Sequence, residues 1–288
     1  MRRLIVNADD FGLTHGVNRA IAESHARGVV TSTTLMANSR AYEEAVLLAK
    51  ASDSWSVGCH VVLVDGEPLI DPARLPSLVP DHEPHHFRTG IGVLALQFLS
   101  GRIDSDQVEA ETTAQIRKLQ TSGIDVSHID THKHTHMFPA VLQGVLRAAR
   151  TCGVGAIRNP FESFAADFIR TRKELWKRYA QVRVLRKLAG PFRKAVQKAG
   201  MRTPDGTLGI VVTGHLDRQL FQGIAENIPE GTWEFVCHPG YVDQDLQSVA
   251  TRLRESRSAE LELLTSTETR EALASRDVEL ISYRDLLG

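Results

Sequence analysis

The chain is poor in cysteine. Its three residues, Cys59, Cys152 and Cys237, are odd in number and show no framework spacing, which excludes a disulfide scaffold and reads as reduced thiols in a cytoplasmic protein. No long apolar run is present either: the longest weakly polar stretch, GIGVLALQFL, is far too short to span a bilayer. The opening MRRLIVNADDFG carries two aspartates behind a brief apolar run and does not read as a signal peptide. Net charge is nearly absent, at −1, so the molecule as a whole is not built for nucleic acid. There is no G-x-S-x-G nucleophile motif and no P-loop. Gly90-Ile91-Gly92-Val93-Leu94-Ala95 loosely spells a dinucleotide pattern, but PHHFRT precedes it where a strand is required.

What is present is a core and a rhythm. With 288 residues, 42% of them hydrophobic, the chain can build one large domain, 1–288. Short β-rich runs occur at 4–8, 32–37, 57–63, 128–132, 156–159, 209–214, 234–238 and 279–283. Helical patterns fall between them, at 17–27, 42–50, 105–122, 140–151, 246–256 and 267–275. This alternation predicts an α/β protein, a (β/α) barrel-like and irregular fold with parallel strands and helical crossovers. A doubly wound open sheet is the rival architecture. Two insertions break the rhythm: a loop-rich one at 65–105 and a basic helical one at 161–205.

HIDTHKHTHMFP, from His128 to Pro139, concentrates imidazoles at the carboxyl end of a strand, where chemistry sits in such folds. While the chain stays extended, His128, Asp130, His132, His134 and His136 share one face. The first strand runs into Asp9-Asp10, the third carries His60, and the seventh ends at His238. Paired carboxylates after a buried strand are costly unless they bind a cation or handle protons. One Asp with two His is a typical catalytic metal set with positions open for water, and a second Asp beside it can take the proton of that water. The plainer alternatives are a satisfied polar network around the histidines and a turn with a helix cap at Asp9-Asp10. His15, His25, His82, His85, His86 and His215 read as surface or loop residues, and Cys59 and Cys237 as small core hydrophobes facing away from the site.

IVNADDFGLTHGVNRAI, GVVTSTTLMAN, VGCHVVL, HIDTHKHTHMFP, FVCHPGYVD and ISYRDLL together resemble the YdjC-like carbohydrate deacetylases, in family order over nearly the whole chain apart from roughly 65–105 and 160–205. The resemblance implies a barrel-like fold and metal-dependent removal of an acetyl group from an N-acetylated sugar. It implies Asp10, His60 and His132 as metal ligands and Asp9 as general base. His238 would be the acid or transition-state donor, with Asp130 orienting a ligand histidine and His134 and His136 lining the site. The family association is with magnesium. Two imidazoles and a carboxylate favour zinc, cobalt or manganese.

Residues 170–202 hold twelve Lys or Arg against the single acidic Glu174, about +11, which leaves about −12 on the rest of the chain. Leu175, Trp176, Tyr179, Val182, Leu185, Leu188 and Phe192 recur at helical spacing, with Pro191 expected to divide two helices. One reading is a peripheral contact with anionic membrane at the inner face; the other is an ordinary crossover with a solvated cationic side. This insert resembles the hopanoid-associated branch of the family, which implies a glycolipid substrate; a free oligosaccharide is the alternative. A homodimer through 65–105 is a further expectation. The rival functions are a metal-dependent hydrolase of another bond, such as a phosphoester, and a non-catalytic sugar-binding relative.

Overall fold

The computed structural model describes all residues except 81, 91, 93–95, 98–100 and 163–171. The loose dinucleotide pattern and the start of the basic insertion therefore fall partly outside the described residues.

Eight strands form one parallel sheet: β1 (Arg2–Phe11), β2 (Ser32–Leu35), β3 (Ser56–Val61), β4 (Val126–Thr131), β5 (Ala156–Ile157), β6 (Gly206–Leu208), β7 (Gly231–Cys237) and β8 (Val278–Ile281). Their order is β5-β4-β3-β2-β1-β7-β6, with β8 on β1. β8 pairs Arg2 to Ile5 of β1, whereas β2 pairs Asn7, Ala8 and Phe11, so two short strands share one long neighbour. The sheet curls until its ends meet through parallel bridges between Ala156 and Arg202 and between Glu162 and Thr207. An irregular (β/α) barrel results, and the open-sheet rival is excluded.

The α-helices with described bounds are α1 (His15–Ala26), α2 (Tyr42–Lys50), α3 (Ser105–Thr121), α4 (Pro139–Cys152), α5 (Trp176–Leu185), α6 (Ala189–Lys198), α7 (Arg218–Glu226), α8 (Gln244–Ser248), α9 (Glu255–Thr265), α10 (Thr267–Ala274) and α11 (Tyr283–Leu287). Thr14, Asp104, Asp217 and Asp243 cap α1, α3, α7 and α8 through side-chain acceptors, each contributing about 1 kcal/mol.

Period-two alternation places the site. On β1, Leu4, Val6 and Ala8 join the large core between barrel and helices, while Ile5 packs with Ala156, Ile281 and Tyr283 inside the barrel. Asn7 and Asp9 share the inward face with Ile5, one and two layers higher. Asn7 bonds His128 of β4 at 3.1 Å although β2 and β3 lie between them in the sheet, so this contact crosses the interior. Cys59 and Cys237 lie in the barrel–helix core. A Cβ on Gly58 would come within 2.6 Å of the His128 ring, so glycine alone admits that imidazole.

Three sequence expectations are corrected. GIVVTG at 209–214 is a turn region, not a strand: Gly209 adopts φ 99°, and the Glu162 carboxylate accepts the Gly209 and Val211 N–H groups at 2.9 and 2.8 Å, taking the donors a ladder would use. The expected helix at 246–256 is two helices, α8 and α9, separated by non-helical chain. Pro191 does not separate the basic helices; it sits in the first turn of α6, where a missing N–H costs nothing, and the break falls at the 3-10 turn Arg186–Leu188.

Candidate metal centre

β1 ends with both carboxylates buried, and Asp10 adopts φ 67°, a left-handed conformation that re-aims the chain after Asp9. Asp10 Oδ1 lies 3.4 Å from His60 Nε2 and 3.4 Å from His132 Nδ1, and the two imidazole nitrogens are 3.3 Å apart. Donors held about 2.1 Å from a tetrahedral ion stand about 3.4 Å from one another, so this triangle matches a divalent cation. The charge balance agrees. Asp9, Asp10, Asp130 and Glu234 face two buried guanidiniums, Arg158 and Arg257, and Glu260 is buried beside His238, so carboxyl groups outnumber guanidiniums and a dication held by neutral imidazoles would reduce the excess.

Asp130 accepts from His60 Nδ1 at 2.8 Å and thereby turns Nε2 toward Asp10 and His132. Burial pulls the His60 pKa down, but the charge of Asp130 and the contacts with Asp10 outweigh it and raise it to about 10. In the absence of a cation, His60 thus carries a proton that a metal must displace. Burial opposes ionisation of Asp10, yet Arg257 and both histidines hold its pKa well below the ordinary carboxylate range. A second grouping, Asp9, His60 and Asp130, also gathers possible ligand atoms, but Arg158 occupies both carboxylates and a cation there would have to compete with a guanidinium.

Arg158 was invisible in the sequence. It follows β5 and is fully buried. Its Nη1 and Nη2 each donate to Asp9 at 2.7 Å in a bidentate pair, Nη1 also meets Asp130, and Nε and Nη2 reach Glu234 at 2.9 and 2.7 Å. Burial raises the Asp9 pKa, and Arg158 more than reverses this, leaving a strongly acidic carboxyl. Asn7 adds a hydrogen bond to Asp9 Oδ1 at 2.9 Å. Tyr283 from α11 donates to Glu234 at 2.6 Å and stacks on His128 at 3.6 Å, so His128 belongs to this supporting network and not to the donor triangle.

His238 closes the other side, its Nε2 3.9 Å from Asp9 Oδ2. Burial lowers its pKa to about 4, so the ring is neutral near pH 7. The remaining histidines leave the strand face because the chain turns after Thr131: Lys133 and His134 adopt φ 55° and 54°. His134 is half-buried, and its Nδ1 has no hydrogen-bond partner among the described residues. His136 turns away from the triangle and bonds Thr131 Oγ1 at 2.7 Å and the Arg158 carbonyl at 3.2 Å, bracing the backbone that carries the guanidinium.

Arg257 and Glu260, one turn apart on α9, were also missed. Arg257 pairs with Asp10 Oδ2, and Glu260 accepts the His238 backbone N–H at 2.6 Å. The R-x-x-E spacing behind HPG is the only sequence signal for them, and it is shared by many solvated helices.

The family model described as YdjC-like protein matches residues 3–275. "Carbohydrate deacetylase 1" of Listeria innocua serovar 6a is 32% identical over 289 residues, covering 99% of this chain and all of the relative. A carbohydrate deacetylase of Brevibacillus brevis is 32% identical over 285 residues, covering 99% of each. Among solved structures, a protein of Enterococcus faecalis V583, whose description proposes cellobiose-phosphate cleavage, superposes with TM-score 0.77 at 28% identity, covering 99% of this chain and 98% of the other.

Proposed function

The chain belongs to the YdjC-like family, and on that premise we propose that it is a metal-dependent carbohydrate deacetylase, removing acetyl from an N-acetylated sugar, with residues 1–288 as one catalytic domain. The observation that carries this reading is the donor triangle of Asp10, His60 and His132 set beside the facing pair of Asp9 and His238. The names of the relatives support the substrate class.

Asp10, His60 and His132 would hold the cation. A dication there would acidify water, polarise the acyl carbonyl and offset the charge of the tetrahedral oxyanion. Zinc, cobalt or manganese suits two imidazoles and one carboxylate better than the magnesium implied by the family resemblance.

Asp9 takes the proton of the attacking water. The bidentate grip of Arg158 fixes the plane of its carboxylate and makes it a weak base, so the proton is passed on. His238 Nε2, on a neutral ring facing Asp9, is positioned to receive that proton and deliver it to the leaving amine. Asp130 holds the His60 ring and, with Arg158, keeps the two halves of the site in register.

The substrate is an N-acetylglucosamine-containing oligosaccharide or glycolipid. Acetate release from each, with chelator and with metal restored, tests the proposal. Release that depends on the cation is expected. No release from either substrate by protein with bound metal would turn the reading toward hydrolysis of another bond or toward sugar binding alone.

No helix among the described residues is long and apolar enough to cross a membrane. In the basic insertion, Leu175, Phe192 and Val196 are buried, and Tyr179, Val182, Leu185 and Leu188 pack on the core. The apolar side of these helices is thus consumed by packing, and the side left to solvent is cationic, with Trp176 and Val184 exposed. A peripheral membrane contact through 170–202 would therefore rest on charge, with Trp176 as its aromatic element.

A further inference from the structure

The two oxygens of Asp10 face different partners. Oδ1 points to His60 Nε2 and His132 Nδ1, whereas Oδ2 is taken by Nη2 of Arg257. Arg257 is 1% exposed and comes from α9, far from β1 in sequence. Its guanidinium has one anchor besides Asp10, Nε donating to the Leu253 carbonyl at 3.1 Å, and the backbone at Arg257 is tied separately, its carbonyl accepting Gly240 N–H at 3.1 Å in the segment that follows His238. Nη1 has no hydrogen-bond partner among the described residues. A buried guanidinium with one arm unmatched is costly, and within this site the side chain it engages is Asp10 alone.

We propose that Arg257 is a positioning residue that confines Asp10 to one-oxygen ligation. By occupying Oδ2 it prevents the carboxylate from chelating the cation through both oxygens. A metal held by Asp10, His60 and His132 then keeps a low coordination number, with positions left for water and substrate. The left-handed backbone at Asp10 brings the carboxylate between the imidazoles and the guanidinium, so its rotation about Cβ–Cγ is fixed at both ends. The inference rests on the metal-dependent reading of the same site and concerns how one ligand is held there.

The test uses the full-length protein stripped of metal and titrated with Co(II), whose visible spectrum reports coordination geometry. Wild type is expected to bind one Co(II) with the intense visible bands of a four-coordinate site. In Arg257→Gln the released Oδ2 should join the ion, coordination number should rise and the bands should weaken. The readout is the spectrum, because loss of the guanidinium changes affinity through charge as well as through the ligand it frees. Arg257→Lys, which keeps one donor and the charge, should lie between the two. Circular dichroism establishes that each variant is folded, and the lysine variant serves if the glutamine variant is not. A spectrum unchanged in both variants overturns the proposal. So does tighter cobalt binding with an unchanged spectrum, since Arg257 would then act only as a competing charge. If wild type binds no cobalt at all, the metal-dependent reading fails and takes this inference with it, an outcome distinct from the other two.

Discussion

Two regions of this molecule crowd charge, and they do opposite things with it. Around the candidate site, four buried carboxylates each lie within bonding distance of one of two buried guanidiniums. In the basic insertion, Arg178 donates to the Ile210 and Thr213 carbonyls, while Lys177, Arg183, Lys187, Arg193, Lys194 and Lys198 are exposed to solvent. A buried charge must be matched partner by partner, because desolvation is repaid only at short range. A solvated charge is screened over about 8–10 Å and contributes little to stability. Position within the fold, and not local charge density, decides which cluster can do chemistry.

The sharpest way to break the comparison is at Asp9. Asp9→Asn should retain cation binding but lose about 100-fold or more in turnover, read as acetate release at saturating substrate. His132→Ala should lose the cation itself, seen by metal analysis after dialysis. Unchanged turnover in Asp9→Asn would show that another group takes the proton.

Next in size is Arg158. Arg158→Met leaves Asp9, Asp130 and Glu234 without their common partner and should destabilise the fold by about 3–5 kcal/mol, measured by urea unfolding. A loss below about 1 kcal/mol would mean that the network is far more solvated than its burial indicates.

A smaller effect should follow pH. With its pKa raised from 6.5 to about 10, His60 binds its proton more tightly in the folded chain than in the unfolded one. The stabilisation from this group is therefore complete below pH 6.5 and is lost as pH rises toward 10. Thermal unfolding in chelator should show a decline over that window, and saturating Zn(II) or Mn(II) should abolish it, because the cation replaces the proton. Cation affinity should rise with pH over the same range.

The smallest effect belongs to the exposed region. Replacing Arg183 and Lys187 by Glu should change stability by only about 0.5 kcal/mol. If the cationic face meets membrane, the same double variant should reduce salt-sensitive co-sedimentation with anionic vesicles. Equal sedimentation of both proteins would leave this face as a plain solvated crossover.

Much of the site was legible before the fold was known, for a definite reason. Asp9, Asp10, His60, Asp130, His132 and His238 lie at strand ends, where alternation and strand polarity state which side chains meet. The expectation failed where local pattern and tertiary demand diverged. GIVVTG has the composition of a strand, yet the buried Glu162 claims its N–H groups. The alignment of His134 and His136 with the strand face held only for as long as the chain stayed extended, and it ends as expected near His132, where a 3-10 turn follows β4.

By itself, the sequence determined the barrel's alternation of strand and helix, the segregation of its charge, and which imidazoles and carboxylates occupy the strand ends. These follow from periodicity, which is local. Only the tertiary structure decided that each aspartate of the Asp9-Asp10 pair receives its own buried arginine, Arg158 for one and Arg257 for the other. Those partners lie 149 and 247 residues away along the chain. Their neighbourhoods mark them weakly at best, since a lone arginine after a short strand, or an R-x-x-E pair on a helix, is equally at home in water. Closure of the sheet and packing of α9 exclude that water, and only then does the pairing become obligatory.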